Sequence, residues 1–344
     1  MEGLLKRGYE VTILHRGIHE VEFPETVEHL HGEVHFVEPL KETLGKRNFD
    51  LVIGMYGRLR YVAEVIKEKT PRFIAMGGLP YKALVEGEKF PGGVPLFIRE
   101  DAPLFRDKGK NKFTYLITSS EEAVMGAHQK GCYAATILRV PMIYGPRQLA
   151  PREWSIIRRI LDGRKYLIIP DGGLKLERRG YAENVAHAIL LVVDEPQASA
   201  GKIFNVGDET IHSLKNWVEI IANTLNHEWE LISIPFPLAR PSRPYAGRAF
   251  HWVTDIEKIK TEIGYRDLIP PQEGLEQTVK WYLENRPSRG REEERQLGDP
   301  FDYATEDTLI HDYKRVAMTI REKASIGYKY RHPYPHPKEE NDRI

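Results

Sequence analysis

Leu138-Arg139-Val140-Pro141-Met142-Ile143-Tyr144-Gly145-Pro146 is the stretch that decides how this chain is read. Residues 135–140 are mostly aliphatic or β-branched and follow a helical pattern. They then meet Pro141 and a Tyr144-Gly145-Pro146 turn, so the order predicts a buried strand ending in a loop. In doubly wound sheets, strand ends of this kind are where ligands sit.

Working outward, short apolar strands are predicted at 10–14, 27–30, 51–55 and 72–76, with helices at 39–46 and 59–69 between them. That alternation specifies a parallel sheet with helices on both faces. Residues 80–111 form a long connection containing Pro91-Gly92-Gly93, of a length typical of a lid. Downstream come helices at 113–130, 153–161 and 183–193, strands near 166–169 and 202–206, and helices at 214–225, 255–263 and 272–285. The loop 235–244, with four prolines, Arg240 and Arg243, is expected to line a cleft. After Pro287 the run Arg289-Gly290-Arg291-Glu292-Glu293-Glu294-Arg295 reads as a solvated linker. An amphipathic helix over 305–323 and an extended proline-rich arm at 332–337 close the chain. The organisation expected is a Rossmann-like part at 1–150, a substrate part at 151–286 intertwined with it, and a linker, helix and arm at 287–344.

The quoted nonapeptide resembles the strand and loop that close the Rossmann domain of the extended short-chain dehydrogenase/reductase superfamily, the NAD-dependent epimerases and dehydratases. Three further stretches are similar to that family in order: residues 5–17, Gly201-Lys202-Ile203-Phe204-Asn205-Val206-Gly207, and 255–285. The resemblance implies an α/β, Rossmann-like doubly wound parallel sheet with a smaller C-terminal α/β substrate domain. It also implies an opening strand and glycine-rich turn, and neither stands before residue 5. A central strand burying four aliphatic side chains contributes roughly 6 to 12 kcal/mol, too much for its slot to stay open. Residues upstream of Met1 are the favoured source, the alternatives being another segment or a second chain.

Fifty basic residues balance fifty acidic ones, so no global field recruits nucleic acid or a membrane surface, and nucleic acid is not expected as a main partner. The single cysteine, Cys132, rules out an internal disulfide, fits a reducing compartment and reads as a packed thiol. With no membrane-length apolar run and no apolar signal core, the cytoplasm is the expected location.

Family members that move hydride use a tyrosine four residues before a lysine on one helix, with a serine or threonine at a preceding strand end. A phenol titrates near 10, and a nearby ammonium makes it useful as an acid or base at neutral pH. Here Tyr115 holds the tyrosine position, Ser119 stands in the lysine position, and Gly77-Gly78 replace the hydroxyl pair. Lys112, Tyr81 and Thr118 are the candidates to supply what is missing. Alternatively, Lys112 is simply solvated at a helix start.

For NAD(P), the resemblance points to His15, Arg16, Met55, Gly57, Gly77, Tyr115 and Pro141, with affinity weakened by the absent glycine-rich turn. Arg16 either selects the NADP phosphate or is a solvated turn residue. Gly78, Tyr144, Arg147, Arg178, Tyr181, Arg240 and Arg243 are the substrate candidates, because arginine forks suit diphosphates and carboxylates. His29, His31 and His35 alternate near one strand, and a solvated or core role is preferred, so no metal is expected.

Three functions follow. One is an epimerase/dehydratase-like enzyme acting on a nucleotide sugar or similar anion through a degenerate hydride-transfer site. The second is a cofactor-independent lyase, isomerase or hydrolase using Tyr115, Tyr81, Glu100, Asp101 or a cleft histidine. The third is a non-catalytic binding protein, through a distant likeness to the chloroplast stem-loop RNA-binding branch. The resemblance also implies a homo-oligomer, with extended members often pairing as homodimers through a four-helix bundle that would include residues 113–130.

Overall fold

The computed structural model describes residues 1–17, 22–55, 58–324 and 327. The candidate Gly57 and the arm at 332–337 lie outside them. Among the described residues, the strands in chain order are β1 (Thr12–His15), β2 (Glu28–His31), β3 (Val52–Met55), β4 (Arg72–Gly77), β5 (Ala134–Arg139), β6 (Met142–Tyr144), β7 (Tyr166–Pro170), β8 (Arg179–Tyr181), β9 (Lys202–Asn205) and β10 (Glu230–Ile234).

All the pairings among these strands are parallel. The main sheet runs β3-β4-β5-β9, with Gly77 opposite Arg139 and Arg139 opposite Asn205, so the carboxyl ends of the central strands form one edge. β1 pairs only with β2, and no described strand joins that pair to β3.

Strand alternation places Ile74, Met76, Leu138 and Val140 in one buried cluster and Phe73, Ala75, Ala135 and Ile137 in another. Both faces of β4 and β5 are therefore apolar, as a sheet covered on both sides requires. Cys132 packs, partly buried, against the second cluster, as the sequence suggested.

Beyond Pro141 the quoted stretch is more than a loop, because β6 forms at once and pairs with β8. Gly145 turns the chain there at φ +140, where an added Cβ would stand 3.1 Å from Ala182 Cβ. A second core, built on Tyr144, Trp154, Ile169, Trp217, Leu275 and Tyr282, supports β7 and β10.

Residues 1–301 form one compact unit and 302–344 another. In the second, the helix Tyr303–Lys323 is capped by Asp302, whose carboxylate accepts from the Thr305 N–H at 3.1 Å.

The linker expected after Pro287 needs correction. Glu292–Leu297 is a helix, and the buried Glu294 carboxylate accepts from Trp154 Nε1 at 2.9 Å, from Arg158 at 2.7 Å and from the Gly290 N–H at 2.7 Å. A charge run reads as solvated only until its partners are known, and these lie 136 and 140 residues away. Among the described residues, no helix is long and apolar enough to cross a membrane.

Candidate functional site

Met55, Gly77 and Pro141 lie at or just beyond the ends of three adjacent strands, along one edge. Met55 is 60% exposed, while Gly77 is buried and a Cβ added there would meet Glu121 Oε1 at ordinary contact distance, 3.9 Å. The helix Lys112–Gln129 packs nearby, its Ile117 within 3.0 Å of a Cβ placed on Gly78. Asn111 caps that helix by accepting from the Thr114 N–H at 3.0 Å. Tyr115 is half-buried on its first turns, Ser119 half-buried one turn later, and Lys112 exposed at its start.

The other two proton-transfer candidates are engaged inside the fold. Tyr81 is fully buried, donates to Asn205 Oδ1 and accepts from Arg139, and burial pushes its phenol up to about 12. Thr118 is buried and donates to the Phe105 carbonyl at 2.7 Å, tying the helix to the end of the 80–111 segment. Both hydroxyls are engaged inside the fold, Tyr81 with two side chains and Thr118 with a backbone carbonyl, which corrects the expectation for both.

Several substrate candidates are likewise turned inward. Tyr144 donates to the Pro271 carbonyl, Tyr181 to Gln277, and Arg178 to the carbonyls of Thr254 and Asp208; all three side chains are buried. Arg147 is exposed, in the left-handed region at φ +64. His15 and Arg16 lie at the end of β1, with Arg16 exposed.

Arg243 lines a cavity. A cavity of about 420 Å³ is lined by Glu86, Lys89, Phe236, Arg243, Arg248 and Phe250 among others. The segment 80–111 reaches it through the helix Lys82–Glu86 and the turn Gly87–Lys89, so the expected loop carries structure of its own. Arg240 is exposed and does not line this cavity. Arg248, which sequence reasoning missed, is fixed by stacking on Trp252 at 4.3 Å and by donating to the Leu84 carbonyl. Its only sequence signal was membership of an arginine-rich segment, Arg240 to Arg248.

Two buried acids were also missed. Asp208, just past β9, accepts from the Tyr181 N–H at 2.9 Å and Asn184 at 3.1 Å, yet burial pushes it up to about 6. For Glu177 burial alone would raise the pKa, but the charges of Lys175, Arg179 and Arg152 hold it down at about 2.

Because Glu177 ionises more readily folded than unfolded, its stabilisation is complete above about pH 4.5 and is lost as pH falls toward 2. The drop from 4.5 to about 2 corresponds to roughly 3 kcal/mol. Glu177→Gln should therefore be less stable than wild type by roughly that amount at pH 7, the gap closing near pH 2 in urea unfolding. Asp208 works in the opposite sense between about pH 4 and its folded value, so the comparison is made between the two proteins at each pH. A gap that stays constant with pH would remove Glu177 as its source.

Parallel strands with an open carboxyl edge, helices on both faces and a second α/β core define the Rossmann-like class. Residues 105–207 match the NAD dependent epimerase/dehydratase family. A UDP-N-acetyl-alpha-D-glucosaminuronate decarboxylase from Bacillus cytotoxicus is 24% identical over 318 residues, covering 82% of this chain and 93% of its own length. The chloroplast stem-loop binding protein of 41 kDa b from Arabidopsis thaliana is 25% identical over 296 residues, 79% of this chain and 72% of that one. Among solved structures, a UDP-glucose 4-epimerase with UDP-glucose from Thermotoga maritima superposes with a TM-score of 0.65 at 17% identity, over 83% of this chain and 94% of that one. Two other curated relatives align over 48% and 57% of their own lengths, so the chain spans about half of each.

Proposed function

We propose that this chain is an epimerase/dehydratase-like protein that acts on a nucleotide sugar or a similar anionic small molecule through a degenerate hydride-transfer site. The observation that carries the reading is the cavity in which Lys89, Arg243 and Arg248 face one volume of about 420 Å³. Guanidinium forks suit a diphosphate bidentately, and Phe236 and Phe250 offer apolar surface beside them. The family match and the names of the relatives favour the same substrate class.

NAD(P) fits this reading on its nicotinamide side, where Met55 is exposed at the end of β3 and Gly77 and Pro141 lie at the neighbouring strand ends. When bound, it would supply hydride acceptance and return. Met55, Gly77, Tyr115 and Pro141 would hold that end, with Arg16 toward the far end, and Tyr115 would carry the proton. Ser119 in the lysine position and glycine in the hydroxyl position make the site degenerate. The expected homodimer would use the helix Lys112–Gln129, whose Phe113 is 77% exposed.

The test is calorimetric titration with UDP- and dTDP-sugars, with product chromatography in the presence of NAD. Arg243→Ala should weaken nucleotide-sugar binding by about 10- to 100-fold, the value of one charge-assisted hydrogen bond, while Arg240→Ala leaves it within about 2-fold. Equal affinity in wild type and Arg243→Ala would discard this cavity as the substrate site. A non-catalytic binding role is the second reading, favoured by the 296-residue alignment with the stem-loop binding protein. Tight stem-loop RNA binding at physiological salt, with no nucleotide-sugar binding, would select it.

A further inference from the structure

The parallel pairing of β1 with β2 brings three imidazoles together at the carboxyl end of both strands. His15 is opposite His31 in register, and His29 lies two residues earlier on β2. Strand alternation puts His29 and His31 on one face, and the pairing adds His15 from the neighbouring strand. Among the described residues, His15, His29 and His31 each offer a ring nitrogen, all within 4.8 Å of one another. His15 Nε2 stands 3.3 Å from His29 Nδ1, and the His15 and His31 ring centroids are 4.7 Å apart. His35, which the sequence grouped with His29 and His31, instead pairs with Glu33.

We propose that His15, His29 and His31 form a binding site for a late first-row divalent metal ion of the zinc type. Two nitrogens bound tetrahedrally to one ion at about 2.0 to 2.1 Å stand about 3.3 Å apart, which is the separation already present between His15 and His29. The third nitrogen, within 4.8 Å, closes by a rotamer adjustment of a partly or fully exposed side chain. An all-nitrogen set favours zinc, copper or nickel over magnesium or calcium, which prefer oxygen. Three protein ligands leave a fourth position for water or an anionic ligand, and a strand-end location is where this fold gathers ligands.

Proton placement makes the site responsive to the ion. The Gly17 N–H donates to His15 Nδ1 at 3.1 Å, so the metal-free ring carries its proton on Nε2, facing His29. Coordination through Nε2 displaces that proton and moves the ring to the Nδ1–H form, which releases the Gly17 N–H. Metal entry therefore loosens the turn at Arg16 and Gly17, a cost of one hydrogen bond against three metal–nitrogen bonds.

The site is independent of the cavity at Arg243, so failure of one leaves the other standing. The full chain, stripped with a chelator, is titrated with Zn²⁺ by calorimetry and with Co²⁺ by visible absorption. About one equivalent should bind, with Co²⁺ bands of nitrogen ligation. His15→Ala, His29→Ala and His31→Ala should each weaken binding at least about 10-fold. His35→Ala should leave it unchanged. Melting curves with chelator present check that each variant folds. In wild type, Co²⁺ should also shift the imidazole NMR resonances of these three histidines, a readout that needs no variant. Absence of binding, affinity unchanged in all three variants, or Co²⁺ shifts confined to other histidines would overturn the proposal.

Discussion

Replacing Arg139 by methionine should destabilise the protein by roughly 3 to 5 kcal/mol, the cost of leaving a buried charge without its partner. Arg139 is the second residue of the stretch that marks the fold, and it is 1% exposed. It grips Glu121 with two hydrogen bonds of 2.9 and 2.8 Å, and donates to the Tyr81 hydroxyl at 2.9 Å and the Glu100 carbonyl at 2.8 Å. One guanidinium thus joins the helix Lys112–Gln129, the start of the 80–111 segment and the end of β5. Burial pushes the Glu121 carboxyl up against the pull of Arg139. Without Arg139 that rise is unopposed, so the carboxyl is protonated in the folded variant to higher pH than in the unfolded chain. The variant's deficit should accordingly shrink on acidification and grow as pH rises through the raised value. Adding Glu121→Leu should recover most of the loss, because an apolar pair of similar volume is often as stable as a buried ion pair. Urea unfolding of wild type, both single variants and the double variant at pH 5 and pH 8 measures all of this. A single-variant loss below about 1 kcal/mol would show that the pair contributes little.

Tyr115→Phe should lower turnover of the nucleotide sugar by about 10²- to 10⁴-fold while leaving its binding unchanged, the signature of a lost proton-transfer group. Tyr115 is half-buried on the helix whose Ile117 stands against Gly78, and the other candidate hydroxyls, Tyr81 and Thr118, are occupied within the fold. With Ser119 one turn along, Lys112 is the cation nearest in sequence. Lys112→Ala should therefore reduce turnover less than Tyr115→Phe and move the basic side of its pH profile. Turnover of Tyr115→Phe equal to wild type would discard Tyr115 as the acid or base.

What depends on local pattern was legible in the residues alone. The strand positions near 12, 52, 72 and 134, the helix carrying Tyr115 and the turn at Gly145 follow from period, β-branching and glycine, all read within a few residues.

What depends on partners distant in sequence was not. Arg139 and Glu121 are 18 residues apart, Glu294 and Trp154 are 140 apart, and His15 meets His29 and His31 only because two strands pair in one register. A charged or polar side chain carries no local sign of whether it will be solvated, paired inside or turned toward a ligand. Tyr81, Thr118 and Arg178 therefore moved from the expected site into the framework, while Arg248 entered the cleft and His15 joined a histidine cluster. Sequence set the strands and the order of their elements; tertiary structure decided which polar atoms still face a cavity, because that choice is made by desolvation and pairing across the chain.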